Sequence, residues 1–338
     1  MYSFLNDYSE GAHPEVLKAL LETNEVQTVG YGLDEYCDLA RKTIQEKIGR
    51  SADVHFLVGG TQTNATFISY VLKDYQAVIA CDEGHINVHE TGAVEAMGHK
   101  VVVKPHENGK LTVDMVKTIL EEHTDEHMVM PKMIYISQTT ELGTYYTVKE
   151  MEDLYNCAKE NNLYMFIDGA RLGSALALED APTLKQMAQL CDAFYIGGTK
   201  LGALFGEALV ILNDDLKADF RYQIKQKGAM LAKGRLLGVQ FHALLKDDLY
   251  VEIGKHENKM AAMLREAFTK KGFNVFLPSS TNIVFVDLTN EVIEKLSEHY
   301  LFAPMYKLDE NTRRARFVTS WATKEEEVVK FVKFVEEM

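Results

Sequence analysis

The sequence has few cysteines and no long apolar run, and both absences narrow what the protein can be. Its four cysteines are far apart and form no CxxC pair: Cys37, Cys81, Cys157 and Cys191. Such spacing suits a reducing compartment and argues against zinc. No apolar run reaches the roughly twenty residues that a bilayer span needs, and the N-terminus lacks the basic and apolar regions of a signal peptide. We therefore expect a cytoplasmic protein without a metal site.

The chain also lacks an excess of positive charge. Its net charge of -14 argues against a general surface for nucleic acid or anionic membrane, because both would repel it. Any phosphate site must then be local. With 338 residues and the composition of an ordinary globular protein, the chain is expected to form one large domain and one smaller domain.

Short apolar segments alternate with amphipathic ones over the first two thirds of the chain, which predicts a mainly parallel sheet covered on both faces. The predicted strands are near 54–58, 76–80, 100–104, 133–137, 164–167, 193–197 and 207–212. The predicted helices are 14–23, a second one capped by Asp34 and ended by Gly49, 62–73, 112–122 and 147–161. In the second helix Leu39, Ile44 and Ile48 are expected to face inward.

After Leu212 the pattern changes to two long helical stretches at about 216–246 and 248–271. Further strands are predicted at 273–276, 282–287 and 315–318, and helices at 290–299 and 324–337. This pattern predicts three parts: an N-terminal segment of residues 1–13, a large domain of 14–247, and a small C-terminal α+β domain of 248–338. A cleft between two domains is a frequent place for a small-molecule site.

Three loops that follow predicted strands carry residues suited to chemistry, and in a parallel sheet such loops meet at one edge. Lys200 follows a buried strand, where lost hydration favours the neutral amine and Schiff-base chemistry. Gly59 and Gly60 precede a helix whose free N–H groups suit a phosphate. Asp168 ends an apolar strand, where a carboxylate needs a cationic partner.

Each of these features also has an ordinary interpretation. Lys200 can be a loop lysine, the glycines can form a plain tight turn, and Arg171 can pair with Asp168 in a structural ion pair. Together, however, a phosphate cradle, an acid at a strand end and a lysine are what pyridoxal 5'-phosphate requires. The lysine would form a Schiff base with the cofactor, and the acid would keep the pyridine nitrogen protonated. A flat side chain such as His85 would lie against the ring.

Nearly the whole chain resembles the L-threonine aldolase family, in the aromatic-amino-acid β-eliminating lyase group of fold-type-I pyridoxal phosphate enzymes. The resemblance rests on segments in a specific order and spacing: Asn6-Asp7, Gly11-Ala12-His13-Pro14, Tyr31-Gly32-Leu33-Asp34-Glu35-Tyr36, Gly60-Thr61-Gln62-Thr63-Asn64, His85-Ile86-Asn87, Glu141-Leu142-Gly143-Thr144, Asp168-Gly169-Ala170-Arg171-Leu172, Gly197-Gly198-Thr199-Lys200 and Arg316-Phe317-Val318-Thr319-Ser320. It implies an α/β fold with a mainly parallel seven-stranded sheet and a smaller C-terminal domain.

The resemblance also implies a role for each matching residue. Lys200, His85 and Asp168 would be catalytic, and the cofactor would be held by Gly60, Thr61, Gln62, His85, Asp168, Arg171, Thr199 and Lys200. The substrate would be bound by Asn6, Tyr31, Arg171 and Arg316. In this family the active site lies at a subunit interface, so Lys225 and Lys227 would contact the neighbouring subunit's phosphate. Without the resemblance, residues 225–227 read as a solvated helix face.

The implied reaction is cleavage of L-threonine, L-allo-threonine or a related β-hydroxy-α-amino acid into glycine and an aldehyde by a homo-oligomer, a dimer or a tetramer. His85, or a water that it positions, would remove the β-hydroxyl proton. Three departures from the family pattern leave the substrate open: Asn6 where serine is frequent, Leu33 where aspartate is common, and Leu201 where asparagine is frequent.

Three other functions compete with this one. The same cofactor also supports β-elimination or transamination of another amino acid. A pyridoxal phosphate-binding protein without turnover is a second alternative. A nucleotide-binding Rossmann enzyme is a third, although no GxGxxG follows the first strand and Gly59-Gly60-Thr61 substitutes for it poorly.

Overall fold

A computed structural model describes residues 1–277 and 279–338. In chain order the strands are β1 (Tyr2–Ser3), β2 (Asp53–Leu57), β3 (Gln76–Cys81), β4 (Val101–Lys104), β5 (Met130–Ser137), β6 (Tyr164–Asp168), β7 (Ala193–Gly197), β8 (Glu207–Ile211), β9 (Asn274–Phe276), β10 (Ile283–Thr289), β11 (Tyr300–Leu301), β12 (Ala303–Lys307) and β13 (Thr312–Val318).

The helices surround these strands. They are α1 (Pro14–Glu22), α2 (Glu35–Ile48), α3 (Gly60–Val71), α4 (His85–Val88), α5 (Ala93–Ala96), α6 (Val113–Glu122), α7 (Val148–Glu160), α8 (Leu172–Leu176), α9 (Leu184–Met187), α10 (Phe220–Gln226), α11 (Arg235–Leu245), α12 (Leu249–Lys271), α13 (Asn290–Ser297) and α14 (Glu325–Glu337). A short 3₁₀ helix spans Asp214–Leu216. Among the described residues, none of the helices has both the length and the apolar character that crossing a membrane requires.

The large sheet has seven strands in the order β2-β8-β7-β6-β5-β3-β4. Only β8 runs against its neighbours β2 and β7, and the remaining pairs are parallel. Both faces are covered, because alternate residues of β7 enter different cores: Phe194 and Ile196 lie in one, Ala193 and Tyr195 in the other. The predicted seven-stranded, mainly parallel sheet is therefore present.

The C-terminal part builds a second, antiparallel sheet in the order β12-β13-β10-β9. Its core includes Phe268, Phe317 and Phe331, together with Phe4 from the start of the chain. The long helix α12 joins the two parts, since Tyr250 and Ile253 pack in the large core while Met260 and Leu264 pack in the C-terminal one.

Several local predictions differ from the structure. The predicted helix 216–246 is interrupted between α10 and α11, where Gly228 has a φ of 68°. Leu39, expected to face inward, is 43% exposed, whereas Ile44 and Ile48 are buried. Residues 1–13 are not wholly irregular, because β1 pairs in parallel with β11. The domain boundaries at 14, 247 and 248 stay predictions.

Candidate active site

The carboxyl ends of neighbouring parallel strands bring the candidate residues to one edge of the large sheet. Ser137 at the end of β5 is the register partner of Asp168 at the end of β6. The next strand, β7, ends at Gly197 and leads directly into Thr199 and Lys200. The edge therefore collects the loops after three strands, as ligand sites in open parallel sheets do.

Asp168 is a buried carboxylate surrounded by neutral donors. Its Oδ2 accepts hydrogen bonds from the Tyr135 hydroxyl at 2.6 Å and from Asn64 Nδ2 at 3.0 Å. Its Oδ1 accepts from the Tyr195 hydroxyl and from the amide of Ala170 at 3.0 Å. Burial raises the pKa of this carboxyl, but nearby His85 and these donors outweigh burial and hold the pKa below its ordinary value. Asp168 is thus kept ionised without a lysine or arginine partner among the described residues.

His85 lies beside this carboxylate at the start of α4. Its Nδ1 is 2.7 Å from Oε1 of the buried Glu90, which also accepts a hydrogen bond from Asn64 Nδ2 at 2.7 Å. Burial lowers the pKa of His85, but Glu90, Glu141 and Asp168 together raise it above its ordinary value. Glu90 therefore orients the ring and favours a protonated imidazole. No local pattern in the sequence indicates this pairing.

Lys200 lies in a tight turn that its neighbours hold in place. The Thr199 hydroxyl donates to Glu207 Oε1 at 2.9 Å, and the Gly206 amide donates to Thr199 Oγ1 at 3.0 Å. The positive charge of Lys200 acts on Asp7, His85 and Glu207, which places its amine within the same cluster. Leu201 points elsewhere: it is fully buried, and a Cβ on Gly173 would lie 2.5 Å from its Cδ1.

The predicted phosphate cradle is the first turn of α3. The helix begins at Gly60, so the amides of Gly60, Thr61 and Gln62 belong to the turn whose N–H groups have no partner within the helix. A Cβ on Gly59 would meet nothing within 4 Å, whereas one on Gly60 would lie 3.0 Å from the Tyr195 hydroxyl. That hydroxyl also binds Asp168, so the start of α3 and the Asp168 carboxylate both lie beside the Tyr195 hydroxyl. The Gln62 side chain instead accepts from the Val58 amide at 3.3 Å.

Arg171 is paired with Asp7 and not with Asp168, so the alternative of an Arg171–Asp168 ion pair is wrong. Its Nε lies 2.6 Å from Asp7 Oδ2 and its second terminal nitrogen 3.2 Å from Oδ1, a bidentate and buried arrangement. The third guanidinium nitrogen is 3.7 Å from Glu141. Burial lowers the pKa of Arg171, but Asp7 and Glu141 raise it by more, so the pKa lies above its ordinary value. The guanidinium therefore stays charged.

Arg316 lies on β13 close to Arg171, and its buried Nε has no hydrogen-bond partner among the described residues. Burial, and then the neighbouring charge of Arg171, lower the pKa of Arg316. Two guanidinium groups lie in one buried region, and one of them has an unused N–H donor, so the region favours binding of an anion. A carboxylate matches such donors geometrically and would satisfy the orphaned N–H.

The remaining predicted residues lie in two places. Asn6 adjoins Asp7, and its Oδ1 accepts from the Tyr8 amide at 2.9 Å and from the Ser9 hydroxyl at 3.0 Å. Tyr31 and Lys225 contact each other away from the cluster, with Lys225 Nζ 4.8 Å from the centre of the Tyr31 ring. Lys227 follows at the end of α10. No hydrogen bond or ion pair of the described residues connects these three with Lys200, Asp168 or His85.

The cluster fits pyridoxal phosphate better than a metal ion. His85, Glu90 and Asp168 have ligand atoms within 4.8 Å of one another, but His85 Nδ1 is bonded to Glu90 Oε1 at 2.7 Å, and its raised pKa favours the protonated ring, which cannot bind a cation. Two of the buried atoms without partners, Asn64 Oδ1 and Glu90 Oε2, belong to residues that bond Asp168 and His85. An amine at Lys200, an ionised acid at a strand end, and an open helix N-terminus are the groups that a phosphorylated pyridine aldehyde needs.

Comparison with known proteins agrees with this chemistry. Residues 4–291 match the family model described as beta-eliminating lyase. The low specificity L-threonine aldolase of Pseudomonas aeruginosa is 31% identical over 333 residues, covering 96% of this chain and 94% of that protein. The structure of Leishmania major threonine aldolase superposes with a TM-score of 0.98 at 48% identity, covering 100% of this chain and 99% of that one.

A more distant structure shows how widely the fold is shared. An aspartate aminotransferase variant from Thermus thermophilus superposes with a TM-score of 0.73 at 16% identity, covering 100% of this chain and 91% of the other. The fold is thus that of the fold-type-I pyridoxal phosphate enzymes, as expected from the sequence. The more similar relatives also indicate the family within that fold. The chain is a member of the beta-eliminating lyase family and, within it, a threonine aldolase-type lyase.

Proposed function

We propose that the protein uses pyridoxal 5'-phosphate to cleave L-threonine, L-allo-threonine or a related β-hydroxy-α-amino acid into glycine and an aldehyde. The observation that carries the proposal is Asp168, an ionised carboxylate fully surrounded by neutral donors beside His85. No lysine or arginine of the described residues pairs with it, so its charge is available to a cationic ligand. A protonated pyridine nitrogen is such a ligand.

The bound cofactor would supply an electron sink for the pair of electrons released when the Cα–Cβ bond breaks. Lys200 would hold its aldehyde carbon, Asp168 its ring nitrogen, and His85 its ring face. The first turn of α3, with Gly60, Thr61 and Gln62, would bind the phosphate. Thr199 would contribute its hydroxyl beside Lys200, and Arg171 would lie near the cofactor oxygen.

The substrate carboxylate would be held by Arg171 and Arg316, with Asn6 beside them. Because Asp7 fixes Arg171 and Arg316 has an unused Nε–H, the pair would orient the substrate without rearranging. This orientation would set the Cα–Cβ bond for cleavage. In its neutral form, present above its raised pKa, His85 held by Glu90 would accept the proton of the β-hydroxyl and return it, directly or through a water.

Tyr31, Lys225 and Lys227 would serve a neighbouring subunit in a homo-oligomer, a dimer or a dimer of dimers. Supporting this, Tyr31 is 45% exposed next to the exposed apolar side chains of Val29 and Leu33. An apolar patch with an adjacent lysine suits an interface that also carries a phosphate contact. From the cysteine spacing we propose the cytoplasm as the compartment.

Replacement of Lys200 by alanine tests the proposal. The purified wild-type protein should show a band near the visible edge that borohydride removes, and it should release glycine and an aldehyde from L-threonine, L-allo-threonine or phenylserine. Lys200→Ala should lose both the band and the turnover. Lys149→Ala, at a lysine whose side chain is 76% exposed, is the matched control and should retain both.

Two results would count against the proposal. Undiminished turnover in Lys200→Ala would remove the lysine from the chemistry. Pyruvate and ammonia as the products from L-serine or cysteine, without glycine from any β-hydroxy amino acid, would indicate β-elimination instead.

A further inference from the structure

Glu207 is a buried carboxyl that the proposed chemistry leaves unused. It is the first residue of β8 and is 3% exposed. Since β8 runs antiparallel to β7, Glu207 is the register partner of Gly197, where β7 ends. The sheet therefore places this carboxyl directly beneath the turn that carries Lys200.

Both carboxylate oxygens hold that turn. Oε2 accepts from the Gly198 amide at 3.1 Å, and Oε1 accepts from the Thr199 hydroxyl at 2.9 Å. The Gly206 amide completes the arrangement by donating to Thr199 Oγ1 at 3.0 Å. The two residues that precede Lys200 are thus fastened to one carboxyl, and the starting point of the lysine side chain is fixed.

The charge of Glu207 is balanced by few groups. The positive charge of Lys200 lowers the pKa of Glu207, whereas the negative charge of Asp168, at the end of β6, raises it. The charge of Glu207 in turn raises the pKa of the Tyr195 hydroxyl on β7 and of the Tyr250 hydroxyl on α12. Burial raises the pKa of Glu207 to about 8, although the hydrogen bond from Thr199 and the charge of Lys200 act in the opposite direction. A buried carboxylate is costly unless a cation accompanies it. Near neutral pH the group is therefore largely uncharged, and its hydrogen bonds rather than its charge fix the turn.

We propose that Glu207 is a positioning residue that fixes the Lys200 turn through the Gly198 amide and the Thr199 hydroxyl. The inference rests on the proposed role of Lys200 as the lysine that binds the cofactor. Each time the substrate amine takes its place, the released lysine would stay anchored at the same backbone position and return to the same site.

The reactivity of Lys200 in the cofactor-free full-length protein tests the inference. Acetic anhydride would be applied between pH 6 and 10, and acetylation of the Lys200 peptide would be measured by mass spectrometry. Glu207→Gln keeps the size but replaces one acceptor oxygen with a donor N–H group, so the turn should loosen and Lys200 should react faster, on the order of fivefold at pH 8. In the cofactor-loaded protein, kcat should fall more than the substrate KM rises, because the substrate would be held by other residues.

Two further variants separate this role from simple stabilisation. Glu207→Asp keeps two acceptor oxygens and should return the acetylation curve toward that of the wild type. Asp192→Asn is the control, because Asp192 is a buried carboxyl beside the opposite end of β7, where it accepts from Lys159 Nζ at 2.6 Å and from the Met165 amide at 2.8 Å. It should lower stability and leave Lys200 reactivity unchanged.

The inference is overturned if Glu207→Gln matches the wild-type curve, or if Asp192→Asn shifts the curve equally. If Glu207→Gln does not fold, Thr199→Val decides instead, because it removes the hydroxyl that donates to Glu207 Oε1 and should raise the acetylation of Lys200 in the same way. A cofactor band that survives Lys200→Ala would instead defeat the proposed function, whatever the Glu207 variants do.

Discussion

At the scale of single residues, Arg171 and Asp7 form a buried ion pair in which each charge depends on the other. Both side chains are buried, and Asn282 Nδ2 also donates to Asp7 Oδ2 at 2.9 Å. Burial raises the pKa of Asp7, but Arg171 and Lys200 outweigh it and lower the pKa below its usual value. The carboxylate is thus ionised throughout the neutral range.

Asp7→Asn should therefore be strongly destabilising. It leaves the buried Arg171 charge without its partner, which costs about 3–5 kcal/mol of unfolding free energy. Urea denaturation measures the loss. The double variant Asp7→Asn/Arg171→Met should recover much of it, because no buried charge is then left alone. A loss below about 1 kcal/mol in the single variant would contradict the assignment.

His85 gives a prediction about pH. Since Glu90 contributes most to raising the pKa of His85 against burial, Glu90→Gln should lower that pKa. The stabilisation from this pair is fully present below the unfolded value of about 6.5 and is lost as the pH rises through the higher folded value. The variant should therefore lose most stability on the acid side of that window. An NMR titration of the His85 ring measures the pKa directly.

The control for this titration is Glu95→Gln, an exposed acid in the following helix, which should leave the His85 curve unchanged. An unaltered His85 pKa in Glu90→Gln would show that the hydrogen bond at 2.7 Å does not set the charge of the ring.

The residues that the sequence could indicate are those with a local pattern. Asp168 and Lys200 each end an apolar strand, and Gly60 begins a helix, so their placement follows from neighbours in the chain. The partners could not be found in this way. Asp7 and Arg171 are 164 positions apart, and the pairing exists only once the sheet has formed. In the sequence Tyr195 is an ordinary residue of a buried strand, and only the fold brings its hydroxyl to Asp168.

At the scale of elements, α8 and α12 pack with almost no space between their backbones. A Cβ on Gly254 would lie 2.1 Å from the carbonyl oxygen of Gly173. Because α8 follows Arg171 directly, this contact also fixes the start of the loop that carries the guanidinium. A glycine is required here for close approach.

Gly254→Ala should separate the two helices and lower the unfolding free energy by about 1–3 kcal/mol. The substrate KM should rise more than kcat falls, since Arg171 would shift and the chemistry at Lys200 would not. Gly11→Ala is the control, because a Cβ there meets nothing within 4 Å. Equal effects of the two substitutions on thermal unfolding would refute the packing argument.

Elements were predictable from the sequence where burial and periodicity agreed. Helix α7 begins where predicted, and Thr147 caps it in a capping box with Glu150. Asp34 caps α2 as predicted, through the amides of Tyr36 and Cys37. Strand β12 is not predicted from the sequence, because Pro304 and the partly exposed residues around it are typical of a loop. It becomes a strand only by pairing with β13.

At the scale of the whole molecule, the four cysteines form a probe of global unfolding. All four are buried and unpaired: Cys37, Cys81, Cys157 and Cys191. Burial raises the pKa of Cys37 and Cys81 to about 12, so few thiolates form near neutral pH. A disulfide reagent at pH 8 should label none of them in the native protein and all four in denaturant. Rapid labelling of one thiol without denaturant would reveal local opening.

The first residues of the chain are tied to some of the last. The Phe4 amide donates to the Leu301 carbonyl at 2.7 Å, and the Val318 amide donates to the Phe4 carbonyl at 2.8 Å. Asp7, three residues after Phe4, holds Arg171. During synthesis, residues 2–7 leave the ribosome long before residues 300–318 but can dock only after those have emerged. We therefore expect a nascent chain with a completed large sheet to lack an ordered Arg171 until residues 300–318 have emerged.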